Sequence, residues 1–351
     1  MTPANPASAS SDRIASLRLE GAYAVMARAQ ELELLGRDIV HFEIGQPDFP
    51  TPSHIAAAGM QAILDGKTRY TPPAGLPALR QRIAAAAGEQ RGRHFEPDQV
   101  VVASGSKPGL FFTTQALVVP GDEVLYPDPG FPTYEAMVRA ARAIPVPFPL
   151  QGKDRFSLDL DRFDSLFSTR TKLIVLNSPA NQTGGILSPA QLEHIARMAQ
   201  RHDCSVLSDE IYSRLVYDGG RADSIVCQVG MAERTVIVDG FSKTYAMTGW
   251  RLGYMIAPLA LAGRLELLIT HAIGCAAAFT QVAGLAALEA PQDCVAAMVG
   301  KYQARRDQML GMVQAIPGLT VDRSQGAFYL FPDVSAWGLS AQQIASRLIN
   351  Q

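Results

Sequence analysis

Short, mostly apolar runs alternate with amphipathic stretches between residues 100 and 257. Each run is four to six residues long, and most lack the strict alternation of a half-exposed strand. The runs cover residues 100–103, 123–126, 143–148, 172–177, 205–208, 235–238 and 252–257. Buried strands separated by helices predict an α/β fold in which a mostly parallel sheet is covered by helices on both faces.

The helical pattern is clearest in residues 188–202. Ser188 and Pro189 suit the N-cap and the first helical position, and Leu192 and Ile195 begin an apolar series at helical spacing. This stretch predicts one complete amphipathic helix between two strands.

The last third of the chain has a different pattern. Residues 258–316 are predicted to be largely helical, with a long helix through residues 298–310. Residues 320–322 and 327–331 are predicted to be strands, and residues 341–349 a helix. Together with the N-terminal hundred residues, these elements would build a second domain.

We therefore expect four regions. Residues 1–12 contain Pro, Ala, Asn and Ser without a hydrophobic stretch, so they predict a disordered tail. Residues 13–50 would form an N-terminal arm and part of the small domain, and residues 51–290 the large domain. Residues 291–351 would form a connecting helix and the small C-terminal domain.

Composition narrows the class of protein. The 351 residues are 48% hydrophobic and 18% charged, and the net charge of -2 does not favour nucleic acid or a membrane surface as a partner. The apolar residues 269–288 are interrupted by polar residues and glycines, which indicates core helices. Cys204, Cys227, Cys275 and Cys294 are scattered and predict buried thiols in a reducing compartment, which is why we expect a cytoplasmic protein without a metal site.

Lys243 carries the strongest chemical signal. It follows the predicted strand at residues 235–238, within the segment GFSKTYAMTGWRLG (residues 240–253). A lysine amine held in a pocket can form a Schiff base, because desolvation and nearby cations lower its pKa. Arg251 supplies a cationic fork suited to a phosphate. An amine beside a phosphate clamp indicates pyridoxal phosphate (PLP), whereas a Ser-Lys pair alone would more simply be a surface lysine in a β-turn.

Residues 104–109, SGSKPG, directly follow another predicted strand and open a helix. Small residues allow a close backbone approach, and the free N–H groups of a helix start attract anions. An ordinary turn between a strand and a helix is the alternative. The phosphate interpretation gains weight because Arg251 would need the same phosphate.

Two more strands end in polar residues suited to a ring cofactor. Asp209 is costly to bury without a partner, and it could pair with a protonated pyridine nitrogen or serve as a helix N-cap. Asn181 could donate its amide to the phenolic oxygen of the cofactor, with the Tyr212 hydroxyl beside it. Phe131 could stack on a flat ring or belong to the core, and Tyr70 could reach a phosphate or anchor a loop.

These segments together resemble the class I/II aminotransferases, the large fold-type I family of PLP enzymes. The likeness runs from Ile14 to the last residue, and the order and spacing of residues 177–184, 209–212 and 240–253 are highly specific. The resemblance implies a three-layer αβα sandwich with a mostly parallel sheet. It also implies a smaller α+β domain made from both termini.

The resemblance further implies roles for individual residues. Lys243 would carry the Schiff base and shuttle the proton, Asp209 would pair with the pyridinium nitrogen, and Asn181 and Tyr212 would bind the ring oxygen. Phe131 would stack on the ring. The phosphate would be held by Gly105, Ser106, Lys107 and Arg251, with Ser242 as a further candidate.

Two implied contacts involve other parts of the assembly. Tyr70 would reach into the site of a neighbouring subunit, so the resemblance implies a homodimer. The backbone at Gly45 would touch the substrate carboxylate.

The chain departs from the family pattern at two places. Gln182 stands where the family usually has proline after the asparagine, which should loosen the turn. The family also places an arginine for the substrate α-carboxylate some tens of residues beyond a segment like residues 326–329, whereas this chain stops at Gln351. We therefore expect the small domain to lack its last strands and helix. A truncated chain, another carboxylate-binding group and weak transamination all stay open.

The resulting hypothesis is a PLP-dependent aminotransferase that moves an amino group between an amino acid and a 2-oxo acid by ping-pong chemistry at Lys243. A β-eliminating lyase or decarboxylase on the same fold is one alternative, because fold alone does not decide the reaction. A cofactor-binding protein that is not an enzyme is another.

Overall fold

An eight-stranded mixed sheet forms the centre of the protein. The computed structural model describes residues 21–151 and 156–350, so the predicted disordered tail lies outside the described residues. The strands, in chain order, are Val100–Ala103 (β1), Glu123–Asp128 (β2), Ile144–Gln151 (β3), Ser157–Leu158 (β4), Thr171–Asn177 (β5), Ser205–Asp209 (β6), Thr235–Gly240 (β7) and Gly253–Ile256 (β8). All seven apolar runs predicted as strands are confirmed, with end shifts of a few residues.

The spatial order of the strands is β1-β8-β7-β6-β5-β2-β3-β4. Four of the seven neighbouring pairs are parallel, and they form the continuous block from β3 to β7. Strand β8 runs antiparallel to both of its neighbours, β1 and β7. The carboxyl ends of β1, β5, β6 and β7 therefore lie at the same edge of the sheet at which β8 begins.

Helices cover both faces of this sheet, which confirms the three layers. The described helices are Gly21–Leu34 (α1), Ser53–Leu64 (α2), Pro77–Arg91 (α3), Ser106–Leu117 (α4), Thr133–Ala140 (α5), Leu160–Asp164 (α6), Pro189–Arg201 (α7), Phe241–Thr244 (α8), Leu259–Ala272 (α9), Ala278–Glu289 (α10), Asp293–Gln314 (α11) and Ala341–Asn350 (α12). Successive residues of one strand point to opposite faces. Val100 and Val102 accordingly pack in one buried cluster with residues of α3 and α10, while Val101 and Ala103 pack in another with residues of α4, α5 and α9.

Helix α7 illustrates how local sequence sets an element. The Ser188 hydroxyl accepts the backbone N–H of Gln191, and the Gln191 side chain accepts the N–H of Ser188. These two hydrogen bonds form a capping box with Ser188 at the N-cap. Pro189 occupies the first turn, where a backbone N–H would have no partner within the helix.

Two predictions for the C-terminal part were wrong. The structure has no strand at residues 320–322 or 327–331; Thr320 and Gly326 form only isolated bridges, to Asp333 and Val216. The helix predicted at residues 341–349 is confirmed as α12. The division of the chain into a large and a small domain stays a prediction.

The cysteine prediction also needs correction. All four thiols are free, but only Cys204 is buried, because Cys227 is exposed and Cys275 and Cys294 are partly exposed. No single helix among the described residues is long and apolar enough to span a membrane. Helices α10 and α11 together meet that test on length and composition alone, with an 82° bend between them.

Candidate active site

Lys243 lies in the short helix α8, directly after β7. Its Nζ donates a hydrogen bond to the backbone carbonyl of Gly45 at 2.6 Å and lies 5.5 Å from the centre of the Phe328 ring. Burial, together with the positive charges of Arg251 and Lys107, lowers the pKa of Lys243 from 10.5 to about 8. The amine is thus less costly to deprotonate than a surface lysine, which suits a nucleophile.

Asp209 ends the neighbouring strand β6 and is buried. Its carboxylate accepts the Tyr134 hydroxyl at 2.8 Å and the Ile211 N–H at 3.3 Å. Burial raises its pKa from 3.8 to about 6, despite the stabilising hydrogen bond from Tyr134. No described residue forms an ion pair with Asp209. A buried carboxylate of this kind fits a cationic ring nitrogen as its missing partner.

Asn181 and Tyr212 meet at the same edge of the sheet. The Asn181 side-chain amide donates to the Tyr212 hydroxyl at 3.2 Å, and that hydroxyl lies 3.1 Å from the hydroxyl of Tyr329. Burial raises the pKa of Tyr212 well above its ordinary value, so the phenol stays protonated. The contact brings Asn181 and Tyr212 together, and their binding of one ring oxygen stays a prediction.

Gly105 and Arg251 come together at the start of α4. Gly105 has a φ of 94°, in the left-handed region, and a side chain there would overlap the Arg251 guanidinium. A Cβ at Gly253 would lie 2.5 Å from the Gly105 carbonyl carbon and 2.6 Å from the Ser106 nitrogen. The close approach of β8 to this turn therefore places a guanidinium beside a helix N-terminus, an arrangement suited to a phosphate.

The remaining predicted cofactor residues are placed as follows. The Lys107 ammonium lies 5.0 Å from the centre of the Phe131 ring, and Phe131 packs edge to face against Tyr134 at 5.8 Å. Ser242 is buried next to Lys243 in the chain. Tyr70 is 96% exposed, so within one protomer its side chain does not join this cluster.

Four contributors were missed by sequence reasoning. Tyr134 holds Asp209, Asn177 donates its side-chain amide to the Asp209 backbone carbonyl at 3.0 Å, and Phe328 and Tyr329 pack against Tyr212. Tyr134 had only a weak signal, its position three residues after Phe131, which precedes helix α5. Phe328 and Tyr329 had none, because their contacts depend on the irregular segment in which they lie.

This set of groups fits pyridoxal phosphate. An amine with a lowered pKa, a buried carboxylate, an amide–phenol pair and a phosphate seat match the aldehyde, the ring nitrogen, the ring oxygen and the phosphate of that cofactor. The fit rests on side chains from four neighbouring strand ends.

Comparison with known proteins leads to the same chemistry. The family model "Aminotransferase class I and II" matches residues 37–351. An aspartate aminotransferase of Pinus pinaster is 39% identical over 93% of this chain and 68% of its own length. The arginine–pyruvate transaminase AruH of Pseudomonas aeruginosa is 37% identical over 94% of this chain and 82% of its own length.

Solved structures agree. The aspartate aminotransferase of Thermus thermophilus with maleate superimposes with a TM-score of 0.92 at 35% identity, covering 97% of this chain and 89% of that one. The fold class, the cofactor and the transaminase activity predicted from the sequence are therefore confirmed. The chain belongs to the class I and II aminotransferases, and it is a PLP-dependent enzyme.

Proposed function

We propose that Lys243 is the covalent anchor of the cofactor and the base that moves the proton during transfer of an amino group from an amino acid to a 2-oxo acid. This proposal rests on two groups at the ends of neighbouring strands. The Lys243 amine has a pKa lowered to about 8, and the buried Asp209 carboxylate has no described ion-pair partner. Positioned proton transfer of this kind contributes about 10²–10⁴ to a rate.

The other residues hold and orient the cofactor. When bound, PLP supplies an aldehyde for the amine and a ring that withdraws electrons from the substrate Cα. Asp209 keeps the ring nitrogen protonated, and Tyr134 holds the Asp209 carboxylate in place. Asn181 and Tyr212 donate to the ring oxygen, supported by their mutual contact. Gly105, Ser106, Lys107, Ser242 and Arg251 would hold the phosphate, and Phe131 would pack on the ring face.

Gly45 stands where an incoming substrate must approach. Its carbonyl accepts the Lys243 amine, so a substrate that engages Lys243 meets the Gly45 backbone. We propose that this backbone contacts the substrate carboxylate. Several relatives are named aspartate aminotransferases, so aspartate is the first amino donor to assay and a 2-oxo acid the acceptor.

We further propose that the enzyme is a cytoplasmic homodimer whose sites are shared between subunits. Large apolar side chains are exposed on α2 and near it: Met60 is 65% exposed, Leu64 78% and Tyr70 96%. Such a concentration of exposed apolar groups favours a protein–protein interface. The free cysteines favour a reducing compartment.

Replacement of Lys243 by alanine tests the proposal. The Lys243→Ala variant should still bind PLP through Asp209 and the phosphate seat, should yield no borohydride-fixed adduct, and should lose at least about 10²-fold in kcat. Lys301→Ala, which removes a lysine from the long helix α11, is the matched control and should behave as wild type. Normal turnover by Lys243→Ala would contradict the mechanism. Stoichiometric pyridoxamine phosphate from an amino donor indicates transfer, whereas ammonia with pyruvate indicates β-elimination.

A further inference from the structure

Gln182 makes a contact that a proline at its position could not make. Its side-chain amide Nε2 donates to the backbone carbonyl of Gly130 at 2.7 Å. Gly130 directly precedes Phe131, and Gln182 directly follows Asn181. The bond therefore joins the loop that carries the amide donor to the loop that carries the stacking ring.

The loop on the Gln182 side is closed by its own hydrogen bonds. The Asn181 N–H donates to the Asn177 side chain at 2.6 Å, and the Ala180 N–H donates to the Gly185 carbonyl at 2.8 Å. The Gly184 N–H in turn donates to the Ala180 carbonyl at 3.1 Å. The expected loosening of this turn is thus opposed by three bonds within the loop, and the Gln182 side chain is left to point outward to Gly130.

The loop on the Gly130 side continues to Asp209. The Tyr134 N–H donates to the Phe131 carbonyl at 2.9 Å, which fixes one turn of backbone, and the Tyr134 hydroxyl donates to Asp209 at 2.8 Å. An unbroken path therefore runs from Asn181 through Gln182, Gly130, Phe131 and Tyr134 to Asp209. Its two ends and its middle are the residues proposed to contact the oxygen, the nitrogen and the face of the cofactor ring.

We infer that Gln182 is a positioning residue that couples the Asn181 loop to the Phe131 loop and so preorganises three contacts to the cofactor ring. This inference rests on the proposed function of those three residues. Gln182 itself touches none of the reacting atoms. Gln182 acts by restricting the Gly130–Phe131 backbone. Its hydrogen bond ends on the Gly130 carbonyl, and a movement of that carbonyl would also move the Phe131 ring.

Three substitutions of Gln182 test whether it couples the two loops or only stabilises its own turn. Gln182→Leu keeps the size and removes the donor, and Gln182→Glu keeps the shape but sets a carboxylate against the Gly130 carbonyl. Gln182→Pro places the family's own residue in the turn, which stiffens the turn but cannot reach Gly130. Gln200→Leu is the control, because its amide likewise donates to a backbone carbonyl of another loop, that of Val229 at 2.9 Å.

Three measurements detect the effect of the Gln182 substitutions without enzyme turnover. In the cofactor-free protein, hydrogen exchange of residues 130–134 should speed up in all three Gln182 variants, and the Kd for PLP should rise roughly threefold to tenfold, the range of one neutral hydrogen bond. The visible circular dichroism of bound PLP should also weaken. Gln200→Leu should change none of these.

The outcomes are distinct. If Gln182→Pro matches wild type in exchange and in Kd, the role is confined to the turn and the coupling is overturned; wild-type values for Gln182→Leu overturn it as well. If wild-type protein itself fails to bind PLP, the proposed function fails and not the coupling alone. Faster exchange with weaker PLP binding in all three Gln182 variants, and not in Gln200→Leu, supports the coupling.

Discussion

Lys243 shows how much of a residue's chemistry comes from its neighbours. Burial is the largest cause of its lowered pKa, followed by the charges of Arg251 and then Lys107, while Asp209 acts in the opposite direction. In the cofactor-free protein, Lys107→Met should therefore move the Lys243 pKa from about 8 part of the way toward 10.5, because one of two nearby cations is lost. The pH dependence of the rate at which an acylating reagent modifies Lys243 measures this pKa. Lys301→Met is the control, and an unchanged midpoint for Lys107→Met would contradict the assigned cause.

Asp209 should lower the stability of the cofactor-free protein at neutral pH and strengthen the binding of the cofactor. The pKa of Asp209 is about 6 in the folded protein, above the ordinary 3.8, so protonation of Asp209 favours the cofactor-free fold. This contribution to the unfolding free energy is fully present below about pH 4 and is lost as the pH rises through 6. Asp209→Asn avoids this loss. The difference in unfolding free energy between variant and wild type, measured without PLP, should shift in favour of the variant by about 1–3 kcal/mol from pH 4 to pH 8. With PLP the order should reverse, because asparagine cannot pair with a ring cation; a variant that PLP stabilises as well as wild type would refute the pairing.

Single residues were predictable where a side-chain type and its position after a strand sufficed. Lys243, Asp209 and Asn181 met both conditions, and the structure brings all three to one edge. Tyr134 was not identified, because it acts through Asp209. Gly45 was named only through the resemblance, and its contact with Lys243 was not foreseen, because that contact uses a backbone atom that any residue has. Gln182 was noted as a departure, but its target Gly130 is 52 residues away in the chain.

At the scale of elements, the strands were predictable but the direction of β8 was not. Short apolar runs identify strands by composition, whereas a strand's direction depends on where the chain re-enters the sheet. The antiparallel β8 matters, because its first residue, Gly253, pairs with both Ala103 and Gly240. That register sets Arg251 beside the Gly105 turn. The strands predicted at residues 320–322 and 327–331 were wrong: Thr320 makes only an isolated bridge, and Phe328 and Tyr329 pack on Tyr212.

Gly253→Ala tests the role assigned to β8. The added Cβ would lie 2.5 Å from backbone atoms of Gly105, so either β8 or the turn must move and the phosphate seat must open. We expect the Kd for PLP to rise by about tenfold or more, equivalent to loss of roughly one charge-assisted hydrogen bond. Gly300→Ala on α11 has open space around its Cβ and should leave PLP binding unchanged. Tight PLP binding by Gly253→Ala would show that this close approach does not build the seat.

At the scale of the whole molecule, several large apolar side chains are exposed. Tyr70 is 96% exposed, Phe42 80% and Leu64 78%, whereas many other large apolar side chains pack on the two faces of the sheet. The sequence predicted the layers, because they follow from periodicity within one chain. It predicted the second subunit only through resemblance, because a surface formed between two copies leaves no periodic pattern in the sequence.

Active sites shared between two subunits predict that two inactive variants can restore activity when mixed, whereas separate sites do not. Neither Lys243→Ala nor Tyr70→Phe should support full activity alone, but a hybrid of one subunit of each kind would contain one site with both Lys243 and Tyr70 intact. Mixing equal amounts under conditions of subunit exchange should therefore restore about a quarter of the wild-type rate, because half of the dimers are hybrids and half of their sites are whole. If each subunit holds its own Tyr70 contact, no hybrid site is whole and the mixture should not exceed the average of its parents. A monomer by light scattering would exclude shared sites before any mixing, so the assay begins with that measurement and then follows activity against exchange time.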